Sequence, residues 1–265
     1  MNDHRDLLAV AFEAVDLGQK LLATMPPGTI SDKHDRDIVT DLDLHIQHEM
    51  QAHLQRATPH FAFLGEEHGG GVIDENTEYV WALDPIDGTS NFAHGLPLCA
   101  TSLALVHHGE PVVAVIHAPF LDLRYHATKN GGAYRNGQPI HASNTTQLNR
   151  AIVSLGDYAT GTNAAKKNRR RFAVTQALAD NVERVRMFGA ASLDLTWVAE
   201  GRTDACIMLN NKPWDTGAGV LIAREAGANV IASTGNTHTF ESHDTIACTP
   251  AITEQFLAII NSTNH

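Results

Sequence analysis

A five-residue apolar run, Tyr79-Val80-Trp81-Ala82-Leu83, leads without a break into Asp84-Pro85-Ile86-Asp87-Gly88-Thr89. The run predicts a strand, and the proline-rigidified turn predicts where it stops. Two carboxylates flank that turn, so both side chains can face one site at the strand's C-terminal end. Hard divalent cations such as Mg²⁺ take oxygen ligands, and the Ile86 carbonyl adds a donor where the turn frees it from the sheet. Gly88 and Thr89 come next; if a helix starts there, its first N–H groups can hold a phosphate. The same string is also good turn chemistry, in which the aspartates only cap the turn.

The surrounding chain predicts what carries this turn. Leu7, Leu8, Val10, Ala11, Ala14, Val15, Gly18 and Leu21 recur at helical spacing until Pro26-Pro27-Gly28. A second helical pattern begins near Asp41 and runs through Leu44, Ile46, Met50 and Leu54, and a strand at 61–64 ends at Gly65-Glu66-Glu67. Alternating apolar segments at 101–106 and 112–117, with turn residues over 129–139, predict further strands and hairpins. From about residue 145 strand and helix alternate: 151–155, 164–180, 182–187, 192–200, 204–209 and 214–226. These patterns predict an α+β sub-domain over 1–147 and an α/β sub-domain over 148–265. With no Gly/Ser-rich linker between them, they are expected to form one rigid unit.

Composition narrows the function. Thirty acidic residues against 19 basic ones give a net charge of -11, which disfavours a general nucleic-acid or anionic-membrane surface. The basic run Lys166-Lys167-Asn168-Arg169-Arg170-Arg171 opens a predicted helix and is expected to be solvated surface, or to draw anionic substrates toward a site. The 16 histidines lack zinc-motif spacing, and His107-His108 beside Gly109 is expected to be surface. Gly132-Ala133-Tyr134-Arg135-Asn136-Gly137-Gln138 lacks the Lys and Ser/Thr of a phosphate loop, which excludes an NTPase reading. Cys99, Cys206 and Cys248 are odd in number and apolar in setting, so reduced, buried thiols and a cytoplasmic location are expected. Acids within the N-terminal pattern fit an amphipathic helix, not a signal peptide or a membrane span.

Acids recur at other element ends: Gly65-Glu66-Glu67 closes a strand, and Trp214-Asp215-Thr216-Gly217-Ala218-Gly219 opens a helix. Together with Asp37-Ile38-Val39-Thr40-Asp41-Leu42-Asp43 and residues 84–89, they form four ordered motifs. In these the chain resembles the inositol monophosphatase family of Mg²⁺-dependent, lithium-sensitive phosphatases. The resemblance also takes in Gly189-Ala190-Ala191-Ser192 and the stretch 200–205.

The resemblance implies an alternating αβαβα layered sandwich, a homodimer, and two or three Mg²⁺ ions. Glu66, Asp84 and the Ile86 carbonyl would hold the first ion, Asp84, Asp87 and Asp215 the second, and a weaker third would sit by Glu66. Asp43, Glu66 and Thr89 would be catalytic, with Thr89, oriented by Asp43, positioning the attacking water. Asp87, Gly88, Thr89, Ala191, Met208 and Asp215 would contact phosphate or substrate, and Arg186 matches an arginine that supports the family's core or interface. In the two-metal template one ion generates the nucleophile and the other stabilises the leaving oxygen.

The substrate implied is a small soluble phosphate ester such as inositol 1-phosphate or a related cyclitol or sugar phosphate. A 3′-phosphoadenosine-type nucleotide, a sugar bisphosphate, histidinol phosphate, and a non-catalytic binding role on the same fold stay open. One departure bears on this choice: Met208 stands where typical members carry a ring-binding glutamate. A thioether is a weak acceptor, so ring recognition is expected to weaken unless Asn210 and Asn211 replace the contact. Simple core packing of Met208 is the other expectation.

Overall fold

The computed structural model describes residues 4–67 and 77–263; the first three residues of the expected N-terminal helix lie outside them. Helix α1 (His4–Thr24) turns Leu7, Ala11, Ala14, Val15, Gly18 and Leu22 to one face. A hairpin of β1 (Ile30–His34) and β2 (Asp37–Thr40) leads into α2 (Asp41–Ala57), which packs beside α1. Gly18 permits that approach, since a Cβ there would lie 2.7 Å from Met50 Sδ.

The pair α1 and α2 covers one face of a seven-stranded sheet in chain order: β3 (Ala62–Gly65), β4 (Tyr79–Asp87), β5 (Ala100–His107), β6 (Glu110–Ala118), β7 (Leu123–Thr128), β8 (Ala133–Arg135) and β9 (Gln138–Pro139). Only β3 and β4 run parallel. A short helix, α3 (Thr89–Ala93), follows β4. Nearly every residue of β4, β5 and β6 is buried, because both sheet faces are covered. That is why their sequences are almost continuously apolar.

The later chain supplies β10 (Ile152–Leu155), α4 (Ala164–Asn181), β11 (Arg184–Arg186), α5 (Ala191–Ala199), β12 (Ala205–Met208), α6 (Pro213–Glu225), β13 (Asn229–Ile231), β14 (Thr245–Cys248) and α7 (Thr253–Ser262). Its five strands order as β11-β10-β12-β14-β13, with β10 parallel to both neighbours. Helices α5 and α6 fill the space between the two sheets, and α4 and α7 close the far side. The layers therefore alternate αβαβα, as expected. Close approach of the middle helices depends on Gly219, where a Cβ would lie 2.6 Å from Leu195 Cβ. The small-residue run Gly217-Ala218-Gly219 is thus a packing device as well as part of a motif.

Cys99, Cys206 and Cys248 are free and buried. No helix among the described residues is long and apolar enough to cross a membrane.

Candidate active site

The acids at the end of β4 are released from the sheet by a bulge. Asp84 pairs with Ser102 and Asp87 with Ala100, so three steps on β4 oppose two on β5. The extra residue turns the Pro85 and Ile86 carbonyls away from the ladder: Thr101 Oγ1 donates to Pro85 O at 2.9 Å and Thr89 Oγ1 to Ile86 O at 2.9 Å. At Gly88, φ is 88° and a Cβ would lie 2.7 Å from the Leu98 carbonyl, so only glycine fits the step from bulge to α3.

A capping box supplies the next wall. Thr40, the N-cap of α2, receives the Asp43 N–H at 3.3 Å, while Asp43 Oδ2 accepts the Thr40 N–H at 2.9 Å. Asp43 is fully buried, and its other oxygen lies 3.1 Å from Thr89 Oγ1. Burial raises the Asp43 pKa, although hydrogen bonds from Thr40 and Thr89 oppose the shift.

The middle helices bring the remaining acids. Asp87 caps the N-terminus of α5, accepting the Ala191 N–H at 3.1 Å and the Ser192 N–H at 2.6 Å, and the Ser192 hydroxyl as well. Asp215 Oδ2 accepts the Lys212 N–H at 2.7 Å at the start of α6. These elements enclose a cavity of about 330 Å³ lined by Glu66, Asp84, Ile86, Asp87, Thr89 and Asp215 among others.

Asp84 is the acid with the least compensation: it is 3% exposed, and its Oδ1 has no hydrogen-bond partner. Burial, then the charges of Glu66, Asp87 and Asp215, push its pKa well up. Asp215 is raised to about 8, chiefly by burial. A cation stands beside the neighbouring glutamates: Lys33 Nζ donates to Glu66 at 2.8 Å and also pairs with Glu67. Burial works against the Lys33 charge, but its two glutamates reverse the effect and raise its pKa. An all-oxygen donor set with an unpartnered buried carboxylate oxygen fits a hard divalent cation. No three of these carboxylates, among the described residues, bring oxygens within 4.8 Å of one another, so the acids ring the cavity without converging on one point.

Residues 3–265 match the model of the inositol monophosphatase family. The chain belongs to the inositol monophosphatase family. Relatives include a probable inositol 1-monophosphatase of Mycobacterium tuberculosis, 36% identical over 87% of this chain and 84% of that protein. A putative Nus factor SuhB of Neisseria meningitidis is 37% identical over 85% of each. Among solved structures, an IMPase of Thermotoga maritima superposes with a TM-score of 0.87 at 29% identity, covering 97% of this chain and 98% of that one.

Of the residues expected from the family motifs, Glu66, Asp84, Ile86, Asp87, Gly88, Thr89, Ala191, Met208 and Asp215 all line the one cavity. Asp43 lies behind it and reaches it through Thr89. The Ala191 N–H is already engaged by Asp87, and α3 is a five-residue helix that opens at Gly88. Met208 is 4% exposed and joins the core while also lining the cavity. Arg186 is exposed on the sheet-edge strand β11.

The basic run is not wholly solvated. Arg171 turns inward, donates to the Leu209 carbonyl at 2.6 Å and lines the cavity. Lys33, Arg36, Asp157 and Asp194 also belong to this neighbourhood and were not anticipated. Asp194 is 1% exposed with an unpartnered Oδ1; its signal in the sequence is an acid inside the apolar run Leu193-Asp194-Leu195.

Proposed function

We propose that this chain is a Mg²⁺-dependent phosphomonoesterase that hydrolyses inositol 1-phosphate or a related cyclitol or sugar phosphate. The observation that carries the reading is the buried, unpartnered Asp84 Oδ1 facing Glu66, Asp87 and Asp215 around one cavity, with the Thr89–Asp43 pair at its wall. Glu66, Asp84 and the Ile86 carbonyl would hold one ion, and Asp84, Asp87 and Asp215 a second. Asp84 would belong to both ligand sets. Mg²⁺ held there would supply positive charge for the phosphate and lower the pKa of water at the site.

The chain's own groups do the rest. Thr89 Oγ1 orients the attacking water; its one proton goes to the Ile86 carbonyl or to Asp43, so the hydroxyl keeps lone pairs for that water. Asp87, fixed by the N-terminus of α5, holds its carboxylate in one orientation at the site. Lys33 pairs with Glu66 at 2.8 Å beside the cavity.

The relative named as a putative Nus factor favours a second reading, a partner-binding role that needs no turnover. Phosphate release separates the two. With Mg²⁺ and inositol 1-phosphate, then a panel of sugar, nucleotide and histidinol phosphates, the wild type should release phosphate and Asp84→Asn should not. No release from any ester would reject the enzymatic reading, and equal release by Asp84→Asn would reject the ligand assignment.

A further inference from the structure

A second cluster of ligand-type side chains stands at the opposite end of β4 from the cavity. Glu78 immediately precedes the strand, and six residues of extended chain, about 20 Å, separate it from Asp84. Across the ladder Tyr79 pairs with His107, the last residue of β5, and His107 pairs with Glu110, the first of β6. The two-residue link, His108-Gly109, has positive φ at both positions, 48° and 76°. That is the left-handed pair a tight hairpin needs, and Asn-Gly or Gly-Gly usually fills it.

The left-handed turn has a consequence for direction. Successive side chains on a strand face opposite ways, but this turn brings the His108 ring beside the His107 ring, with centroids 4.3 Å apart. His107 in turn stacks on Tyr79 at 4.3 Å and Tyr79 on Phe61 at 4.5 Å, a column of rings that fixes the first imidazole. Glu78 Oε1 lies 3.4 Å from His107 Nε2, and the Glu78 carbonyl accepts the His108 N–H at 3.1 Å. One ligand atom from each of Glu78, His107 and His108 therefore lies within 4.8 Å of the other two. An ordinary Glu–His ion pair has no use for the second imidazole turned onto it.

We infer that Glu78, His107 and His108 form a second metal site, for a late first-row divalent cation such as Zn²⁺. Two imidazole nitrogens and one carboxylate are the donor set of such ions, whereas Mg²⁺ takes oxygen. A tetrahedral ion with bonds of about 2.0–2.1 Å wants donors about 3.3 Å apart, which small side-chain rotations reach at this half-open surface. Water completes the shell. Glu110 and Glu241 line the hollow beside Glu78 and His108, and their charge favours a cation there; Glu110 itself is tied to Lys129. An ion bound here would clamp the start of β4 to the β5–β6 hairpin, far from the phosphate chemistry.

The test is calorimetric titration of Zn²⁺ into the protein in millimolar Mg²⁺, with wild type, His107→Gln, His108→Gln and Asp84→Asn. Wild type and Asp84→Asn should each take up one Zn²⁺ in the micromolar range. Each histidine variant should bind it about 100-fold more weakly, and Zn²⁺ should raise the melting temperature of wild type but of neither histidine variant. Equal Zn²⁺ binding by the histidine variants would overturn the assignment. Loss of the event in Asp84→Asn would move the ion to the cavity and overturn it equally.

Discussion

Thr89 Oγ1 lies 3.1 Å from Asp43 Oδ1 and 2.9 Å from the Ile86 carbonyl, so a single hydroxyl joins the cap of α2 to the bulge of β4. The hydroxyl has one proton to give. Whichever oxygen takes it, Thr89 turns its lone pairs toward the cavity, and Asp43 is buried where it can serve no other group of the site.

Thr89→Ala should therefore lower kcat by about 100-fold or more while leaving the Mg²⁺ concentration for half-maximal activity nearly unchanged. In the proposed role the hydroxyl orients a reactant and contributes no metal ligand. Steady-state kinetics across a Mg²⁺ series checks this. A defect that vanishes at high Mg²⁺ would instead make Thr89 part of metal binding.

Gly88→Ala tests the backbone of the bulge. A methyl group there meets the Leu98 carbonyl at 2.7 Å, and φ of 88° lies where side chains are strained. The expected cost is about 1–3 kcal/mol in urea unfolding, together with a loss of kcat because Asp87 and Thr89 flank the distorted residue. Wild-type stability would show that the loop relaxes without strain.

A pH dependence follows from His238. His238 is 5% exposed, and Thr245 donates to Asn211 at 2.9 Å, so the Thr245 oxygen accepts from His238 Nε2–H at 2.8 Å. Nδ1 then carries a lone pair and has no partner. Burial first, and the Arg224 charge second, lower its pKa to about 4. The unfolded chain binds this proton near 6.5, so stability from the neutral ring is present above 6.5 and is lost as pH falls toward 4. Urea unfolding should show wild type losing about 2–3 kcal/mol more than His238→Gln across that window. Parallel curves would mean that His238 titrates alike in both states.

Local chemistry was legible in the sequence, and long-range pairing was not. Residues 84–89 announced a turn with acids at a strand end because proline, glycine and aspartate act within a few residues of themselves. The capping box of Thr40 and Asp43 has the same short reach. Lys33 gave no such signal: its partners Glu66 and Glu67 stand more than thirty residues away, across the hairpin and α2. Arg171 sits in a basic run whose charge predicts solvent, and only the tertiary approach of β12 offers it the Leu209 carbonyl. Strands β13 and β14 and helix α7 also escaped the periodicity reading.

Met208 tests what the site recognises beyond phosphate. It ends β12, 4% exposed, against Gly156, where a Cβ would lie 3.2 Å from Met208 Cγ. Gly156 N–H donates to the Ile207 carbonyl, so the loop after β10 is pinned opposite Met208, and Asp157 on that loop lines the same cavity. A thioether at this place accepts hydrogen bonds weakly, whereas a carboxylate can accept from two ring hydroxyls. Hydrogen bonds to a charged group are worth about 1.5–3 kcal/mol, or roughly ten- to a hundredfold in kcat/KM. Met208→Glu should raise kcat/KM for inositol 1-phosphate by about that factor and leave an aryl phosphate, which has no ring hydroxyls, unchanged. The new charge enters a tight, partly acidic wall, so the melting temperature should fall at the same time. A stability loss without the selective gain would show that Met208 acts as packing alone and that ring recognition lies elsewhere in the cavity.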